Sequence, residues 1–257
     1  MFAFQKEFRE YPGTEYEDFQ LPPDYQVPAE FVFGRLMYPE GANRGFGGFG
    51  RFGGNWEKGG TQWTNDYPRA DRHLLLAIRR LSLINARSVE QPVNLNDGDD
   101  VYNFPFLYAA RAGFMDLTDA QVAKLRDYID RGGFFVGDDM WGDNEYEGIV
   151  ETMKRVFPDR PIEELGNDAA AFHTVFDLNE RYQILGQWSR NGSVLNGGYV
   201  PHWQGIFDEK KRMVTGIWVN CDTGDSWEWA DDPTYPERYS ALGMRLTLNH
   251  IIYSMTH

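Results

Sequence analysis

Residues 104–139 read FPFLYAARAGFMDLTDAQVAKLRDYIDRGGFFVGDD, and the order of patterns in this stretch decides the fold. FPFLYAA, residues 104–110, is an apolar run of the kind a strand buried on both faces requires. Thr118-Asp119-Ala120-Gln121 has the form of a capping box, in which a hydroxyl and a Gln side chain satisfy two free N–H groups at a helix start. Val122, Leu125 and Ile129 then fall on one face, with Lys124, Arg126, Asp127 and Asp130 turned outward, and Gly132-Gly133 ends the helix. Phe134, Phe135 and Val136 follow at once as a second apolar strand. Strand, helix, strand is a βαβ unit, so the two strands are expected to be parallel with a right-handed crossover.

The same alternation extends outward in both directions. Upstream, FVFGRLM (31–37) reads as a strand, and Asp66 to Pro68 open a helix that carries Leu74, Leu75, Ile78 and Leu81 at helical spacing. VNLNDGDDVYNF holds an Asp97-Gly98 turn. Downstream, Asp143 or Asn144 caps a helix bearing Tyr146, Ile149, Val150, Met153 and Val156, which stops at Phe157-Pro158. YQILG (182–186) and MVTGIWVN (213–220) read as strands. The stretch from Pro236 to Met255 reads as a closing helix with Tyr239, Leu242, Leu246 and Tyr253 on one stripe. Together these elements predict a three-layer α/β/α sandwich around a largely parallel sheet, one domain over residues 31–257.

Two segments stand apart from this pattern. Residues 1–30 are rich in Pro, Glu and Tyr without a period and read as an extended arm that packs through its aromatics. Residues 41–60, GANRGFGGFGRFGGNWEKGG, read as a Gly-rich loop. Within it, Gly45 to Gly50 spell G-x-G-x-x-G, but more glycines follow where a helix must receive the pyrophosphate, so no nucleotide cofactor is expected.

Composition narrows the function. The 257 residues carry 25 Lys and Arg against 39 Asp and Glu, a net charge of −14, which argues against a nucleic-acid groove. An apolar fraction of 42% with eight Trp suits a packed core. A chain of this size buries roughly 70–75% of its unfolded surface, so it needs no disulfide staples, and its single Cys221 allows no internal disulfide. A run of about 18 apolar residues is absent and MFAFQKEFREYPG lacks the apolar core of a signal peptide, so no direct membrane insertion is expected.

In an open parallel sheet, ligands collect beyond the carboxyl ends of the strands. That rule nominates four neighbouring loops: Arg35 and Tyr38; Arg111, Gly113 and Phe114; Asp138, Asp139, Met140 and Trp141; and Cys221, Asp222, Asp225, Trp227 and Glu228. Asp138 and Asp139 are the pair that carries most information. They are candidate oxygen ligands for Mg²⁺ or Ca²⁺, or a general base raised by its neighbour. The bland alternative is a helix cap plus an ion pair with Arg35 or Arg111. The spacing fits no EF-hand, and with no Cys pair, no H-E-x-x-H and His scattered at 73, 173, 202, 250 and 257, zinc is less expected than an oxygen-bound cation. His173 and His202 fall in loop-like surroundings, as further catalytic candidates or as hydrogen-bonded packing residues. Cys221 is disfavoured as a nucleophile because Asp222 and Asp225 raise a thiol pKa, and no G-x-S-x-G elbow occurs. Trp56, Trp63, Trp141, Trp227 and Trp229 stand near carboxylates in the sequence, a pairing that suits sugar rings if they are not simply core.

FGRLMYP, Asp66-Tyr67-Pro68, FPFLYAAR, LTDAQVAKLRDYIDRGGFFVGDD, MKRVFPD, AFHTVFD and DTGDSWEW together resemble a bacterial family known as domain of unknown function 4159, from about Phe31 to the C-terminus. That family is similar in fold to class I glutamine amidotransferase-like, flavodoxin-like proteins, including the trehalose-utilisation type. The resemblance places Gly137-Asp138-Asp139-Met140-Trp141 at the nucleophile elbow, where the amidotransferase Cys is missing. It also implies an exported, periplasmic or envelope-linked role. The resulting expectation is a non-amidotransferase binding or accessory module. Arg35, Arg111, Trp141, Asp222, Asp225, Trp227 and Glu228 would meet a small molecule, a glycan or an envelope protein. The alternatives are a metal-assisted hydrolase using Asp138 and Asp139, and a carbohydrate binder.

Overall fold

The structure is a computed structural model and describes residues 6–16, 19–41, 54–189 and 192–257. Most of the Gly-rich loop, with its G-x-G-x-x-G letters, lies outside the described residues. One seven-stranded sheet organises the chain, in the order β2-β1-β3-β4-β7-β6-β5. The strands are β1 (Gly34–Met37), β2 (Gln91–Asn94), β3 (Phe106–Ala109), β4 (Phe134–Met140), β5 (Ile162–Glu164), β6 (His202–Phe207) and β7 (Met213–Val219). The first four and β7 are mutually parallel, whereas β6 runs antiparallel to β7, and β5 antiparallel to β6. The helices are α1 (Arg69–Leu81), α2 (Asp119–Asp130), α3 (Gly142–Val156), α4 (Thr223–Glu228) and α5 (Glu237–Thr256).

Side-chain alternation along the parallel strands builds two cores and hence three layers. Phe33, Phe106, Tyr108, Phe134, Val136 and Trp218 pack with α1, α4 and α5 on one face. Leu36, Leu107, Ala109, Phe135, Ile217 and Val219 pack with α2 and α3 on the other. The capping box forms as the sequence predicts: Thr118 Oγ1 accepts the Gln121 N–H, and the Gln121 side chain accepts the Thr118 N–H. Of the four residues on the predicted stripe of α1, Leu74, Leu75 and Ile78 are buried, and Leu81 is half exposed at the last turn.

Four expectations need correction. YQILG is irregular chain, its apolar residues covering the sheet end rather than joining it; Ile184 is buried and its carbonyl accepts the Asp222 N–H. Conversely, QPVN at β2, the short β5 and HWQGIF at β6 are strands without a clear apolar run; β2 and β5 pair with strands far along the chain, and β6 turns back on β7 as a hairpin. His202 therefore begins a strand instead of lying in a loop. The segment after β7 is helical, not a loop: Asp222 caps it by accepting the Asp225 N–H at 2.9 Å. Among the described residues no helix is long and apolar enough to cross a membrane.

Candidate functional site

β1 connects to β2 on one side and the chain then returns to β3 on the other, so the order reverses between β1 and β3. Loops leaving the carboxyl ends of adjacent strands diverge at such a point and leave a crevice. Here that crevice is a cleft of about 530 Å³ whose walls include Glu15, Asn65, Asp66, Arg111, Asp139, Trp188, Asp222 and Asp225.

Asp138 and Asp139, adjacent in sequence, have separate tasks. Pairing between β4 and β7 slips between Gly137 and Met140, leaving an extra residue on β4. Phe135 and Met140 therefore share a face across an odd spacing, and Asp139 is the extra residue, with φ of 55°. Asp138, one residue before it, is fully buried. Its carboxylate accepts hydrogen bonds from the Tyr108 hydroxyl (2.7 Å), the Thr223 N–H and hydroxyl (3.0 Å each) and the Gly224 N–H (3.1 Å). It is a bracket that fixes α4 against β3 and β4. Burial, then the charge of Asp139, pushes it up to about 7 despite those donors.

Asp139 instead faces the cleft. Its Oδ1 accepts the Trp141 indole N–H at 2.7 Å and lies 3.6 Å from the Arg111 guanidinium, and its Oδ2 accepts from Asn65 Nδ2 at 3.3 Å. Asp66 and Asp222 complete a group of three carboxylates, each at most 2% exposed, with one oxygen from each within 4.8 Å of the others. Oxygens bound to a single hard cation at about 2.0–2.6 Å can be at most about 5 Å apart, so the group is compact enough to hold one. Asp66 Oδ1 accepts from Asn65 Nδ2 at 2.6 Å, while Asp66 Oδ2 is buried without a hydrogen-bond partner. Burial drives Asp66 and Asp222 well above the usual carboxylate range. The next largest push comes from Asp225 on Asp66 and from Asp139 on Asp222. An all-oxygen donor set of this kind suits Mg²⁺, Mn²⁺ or Ca²⁺ over zinc or copper.

Backbone strain gathers at the same edge. Asp66, Arg111, Asp139 and Asn220 all take left-handed φ between 49° and 61°, a conformation non-glycine residues adopt at a cost and chiefly where surrounding structure imposes it. Gly224 is required for space: a Cβ there would collide with Asp66 Oδ2. Gly186 plays the same part opposite, where a Cβ would strike Asp222, Asp225 and the Trp188 indole.

The other residues nominated from sequence divide cleanly. Arg111 lines the cleft and pairs with Asp139 and with Glu145 (3.3 Å), so the ion-pair reading holds for Arg111. Arg35 lies beneath the cleft, fully buried, paired with Asp71 at 3.0 Å and donating to the Asn65 carbonyl, where it steadies the Asn65-Asp66 turn. Asp225 lines the wall, its oxygens accepting from the Gln187 N–H and the Trp229 indole, and Glu228 is buried next to it. Trp63, Trp141 and Trp227 are fully buried, so they are core rather than a sugar platform; the rings at the cleft are Trp188, 43% exposed, and Trp229. His173 bonds Asp177 and the Asn167 carbonyl, and His202 pairs with Glu164; neither lines the cleft. Cys221 is buried and its thiol is raised chiefly by that burial, with Asp138 the charged contributor in place of Asp222 and Asp225. Glu15, Asn65, Asp66 and Trp188 escape the sequence reading, because Asp66 looks like an ordinary helix start and the others lie in unpatterned chain.

The fold and site thus define an open, mostly parallel α/β protein with a carboxylate-walled cleft at its strand ends. Within that class, the sequence model of the family described as Domain of unknown function (DUF4159) matches residues 54–255, and the chain belongs to this family. The match covers Asp66, Asp139, Asp222, Asp225 and Glu228, and begins downstream of Glu15 and β1. No curated protein matches the chain.

Proposed function

We propose that this protein is a divalent-cation-dependent hydrolase, with the cation held by Asp66, Asp139 and Asp222 in place of the Asp138/Asp139 pair expected from sequence. The observation that carries this is the convergence of three buried carboxylates from three separate segments of the chain, one with an unpartnered oxygen, on an open cleft. A cation there would polarise a substrate oxygen and acidify a bound water. Asp225, aimed by the Gln187 N–H and the Trp229 indole and lifted well above the usual carboxylate range by burial, is the general base of this reading. Arg111 supplies positive charge for developing anionic character. Kinship with class I glutamine amidotransferase-like proteins is supported by Asp139, a left-handed residue at a strand-to-helix turn, which is where a nucleophile elbow carries its strain. A carboxylate at that point provides no thiolate, so the reading excludes glutaminase chemistry through it.

The test is a thermal melt of chelator-stripped protein with Mg²⁺, Mn²⁺ and Ca²⁺, followed by turnover of chromogenic phosphoesters, carboxylic esters and glycosides with the stabilising ion. A cation at about 100 times its Kd adds about 2.7 kcal/mol to folding, a rise of roughly 5–10 °C for a chain this size. Asp222→Asn should abolish the rise, and Asp225→Asn should keep the rise and lose turnover. No rise with any cation overturns the proposal. A rise without turnover on any substrate would favour the binding-module reading, with Trp188 exposed at the cleft mouth as its ring-stacking surface. The envelope setting implied by the resemblance is a separate part of the proposal, and recovery of the natural protein among soluble cytoplasmic proteins would overturn it.

A further inference from the structure

We infer a second cation subsite, formed by Glu15, Asp66 and Glu228, with Asp66 as a carboxylate shared between two ions. It rests on the cation reading above and extends it from one ion to two. One oxygen from each of these three residues lies within 4.8 Å of the others, and Asp66 is common to this group and to the Asp66-Asp139-Asp222 group. Acidic proximity alone would carry little. The independent observation is Glu228: its side chain is completely buried and neither carboxylate oxygen has a hydrogen-bond partner among the described residues. The Tyr16 hydroxyl and the Asp225 and Glu15 carboxyl groups face it, none at hydrogen-bond geometry, and two of those three are themselves acids. A buried carboxylate without donors is costly unless something positive meets it.

The described cations nearby are already engaged. Arg111 pairs with Asp139 and Glu145, and Arg69 donates to Tyr16 and Asp231. A single divalent ion beside Asp139 and Asp222 would leave Glu228 unmatched, and a second across Asp66 would meet it. Two ions joined by one carboxylate commonly sit about 3.5–4 Å apart and act on one substrate from both sides.

Glu15 comes from the segment that precedes the family match, so the second subsite depends on how that segment docks. The docking is specific. Gly13 leaves no space for a Cβ against the Tyr67 carbonyl, the Gly13 N–H donates to the Tyr16 carbonyl at 2.7 Å, and the Tyr11 ring meets Trp63 edge-on.

Mn²⁺ titration of the full chain, followed by calorimetry and by electron paramagnetic resonance, separates the two claims. The expected result is two Mn²⁺ per chain with a spin-coupled signal. Glu228→Gln and Glu15→Gln should each leave one ion and remove the coupling, and Asp66→Asn should weaken both sites at least tenfold. Glu15 is exposed, so its substitution answers the question even if Glu228→Gln fails to fold. One ion in the wild type, lost in Asp222→Asn and kept in Glu228→Gln, overturns the second subsite and leaves the first standing. No bound ion overturns both, and two ions retained in both Gln variants overturns this placement.

Discussion

Asp66 shows at the scale of one residue how a site and a stable fold pull in opposite directions. Its carboxylate is buried beside Asp139 and Asp222, with one oxygen unpartnered, so without a cation it burdens the fold. Asp66→Asn keeps an acceptor for Asn65 and removes a charge. The cation-free variant is expected to melt higher than the wild type at pH 8 and to lose most of the cation-induced rise. A lower melting temperature would mean that Asp66 is a structural acceptor. Asp138 should behave in the opposite way. Four donors converge on it, and an amide would turn an NH₂ toward some of them. Asp138→Asn should cost about 3 kcal/mol in denaturant unfolding, since hydrogen bonds to charged acceptors contribute about 1.5–3 kcal/mol each and are not additive. Cation stoichiometry should stay unchanged; a loss of an ion would return Asp138 to the ligand set.

Among the elements, α4 does most to assemble the cleft. Asp222, Asp225 and Glu228 recur every three residues, so a helix turns all three toward one side once Asp222 caps it. The stretch is short, acidic and Trp-bearing, which disguises it as a loop. What holds it is its docking onto Asp138 and the close approach of Gly224 to Asp66. Gly224→Ala should therefore displace Asp66 and weaken cation binding at least tenfold by calorimetry; unchanged affinity would show that the turn can shift without moving the ligands. As a contrast, Thr118→Ala on α2 removes the capping box and should cost about 1 kcal/mol with no change in cation affinity.

For the molecule as a whole, the buried carboxylates set how stability varies with pH. Burial raises Asp138, Glu145 and Glu228 to about 7, and Asp66, Asp222 and Asp225 well above the usual range. Unfolded, the same groups titrate near 4. The folded protein thus binds more protons than the unfolded chain between about pH 4 and pH 7 and above, and its stability falls as pH rises through that window. Cation-free protein is expected to melt at least about 5 °C lower at pH 8 than at pH 5 at constant ionic strength. Saturating cation should remove most of that difference by holding the carboxylates ionised in the folded state. A flat cation-free profile would contradict the raised titrations.

The sequence by itself determined the βαβ unit over 104–139, the helices with strong apolar stripes and the edge of the sheet where a cleft must form. Apolar period, capping residues and the rule for open parallel sheets are local or topological, and a single chain carries them openly. It also carried Arg111, Asp139, Asp222 and Asp225 as residues of that edge. Tertiary structure alone decided that β5 joins the sheet edge and that QPVN is a strand, because each is paired with a partner far along the chain; β6 reaches the sheet through a hairpin with β7 that no apolar run marks. It also decided between Asp138 and Asp139, through one extra residue in β4 that no pattern marks. Finally, it brought Glu15 and Asp66 to the carboxylates of α4, across more than two hundred residues of chain in the case of Glu15 and Glu228. Proximity of that range is fixed by packing, and neither period nor composition records it.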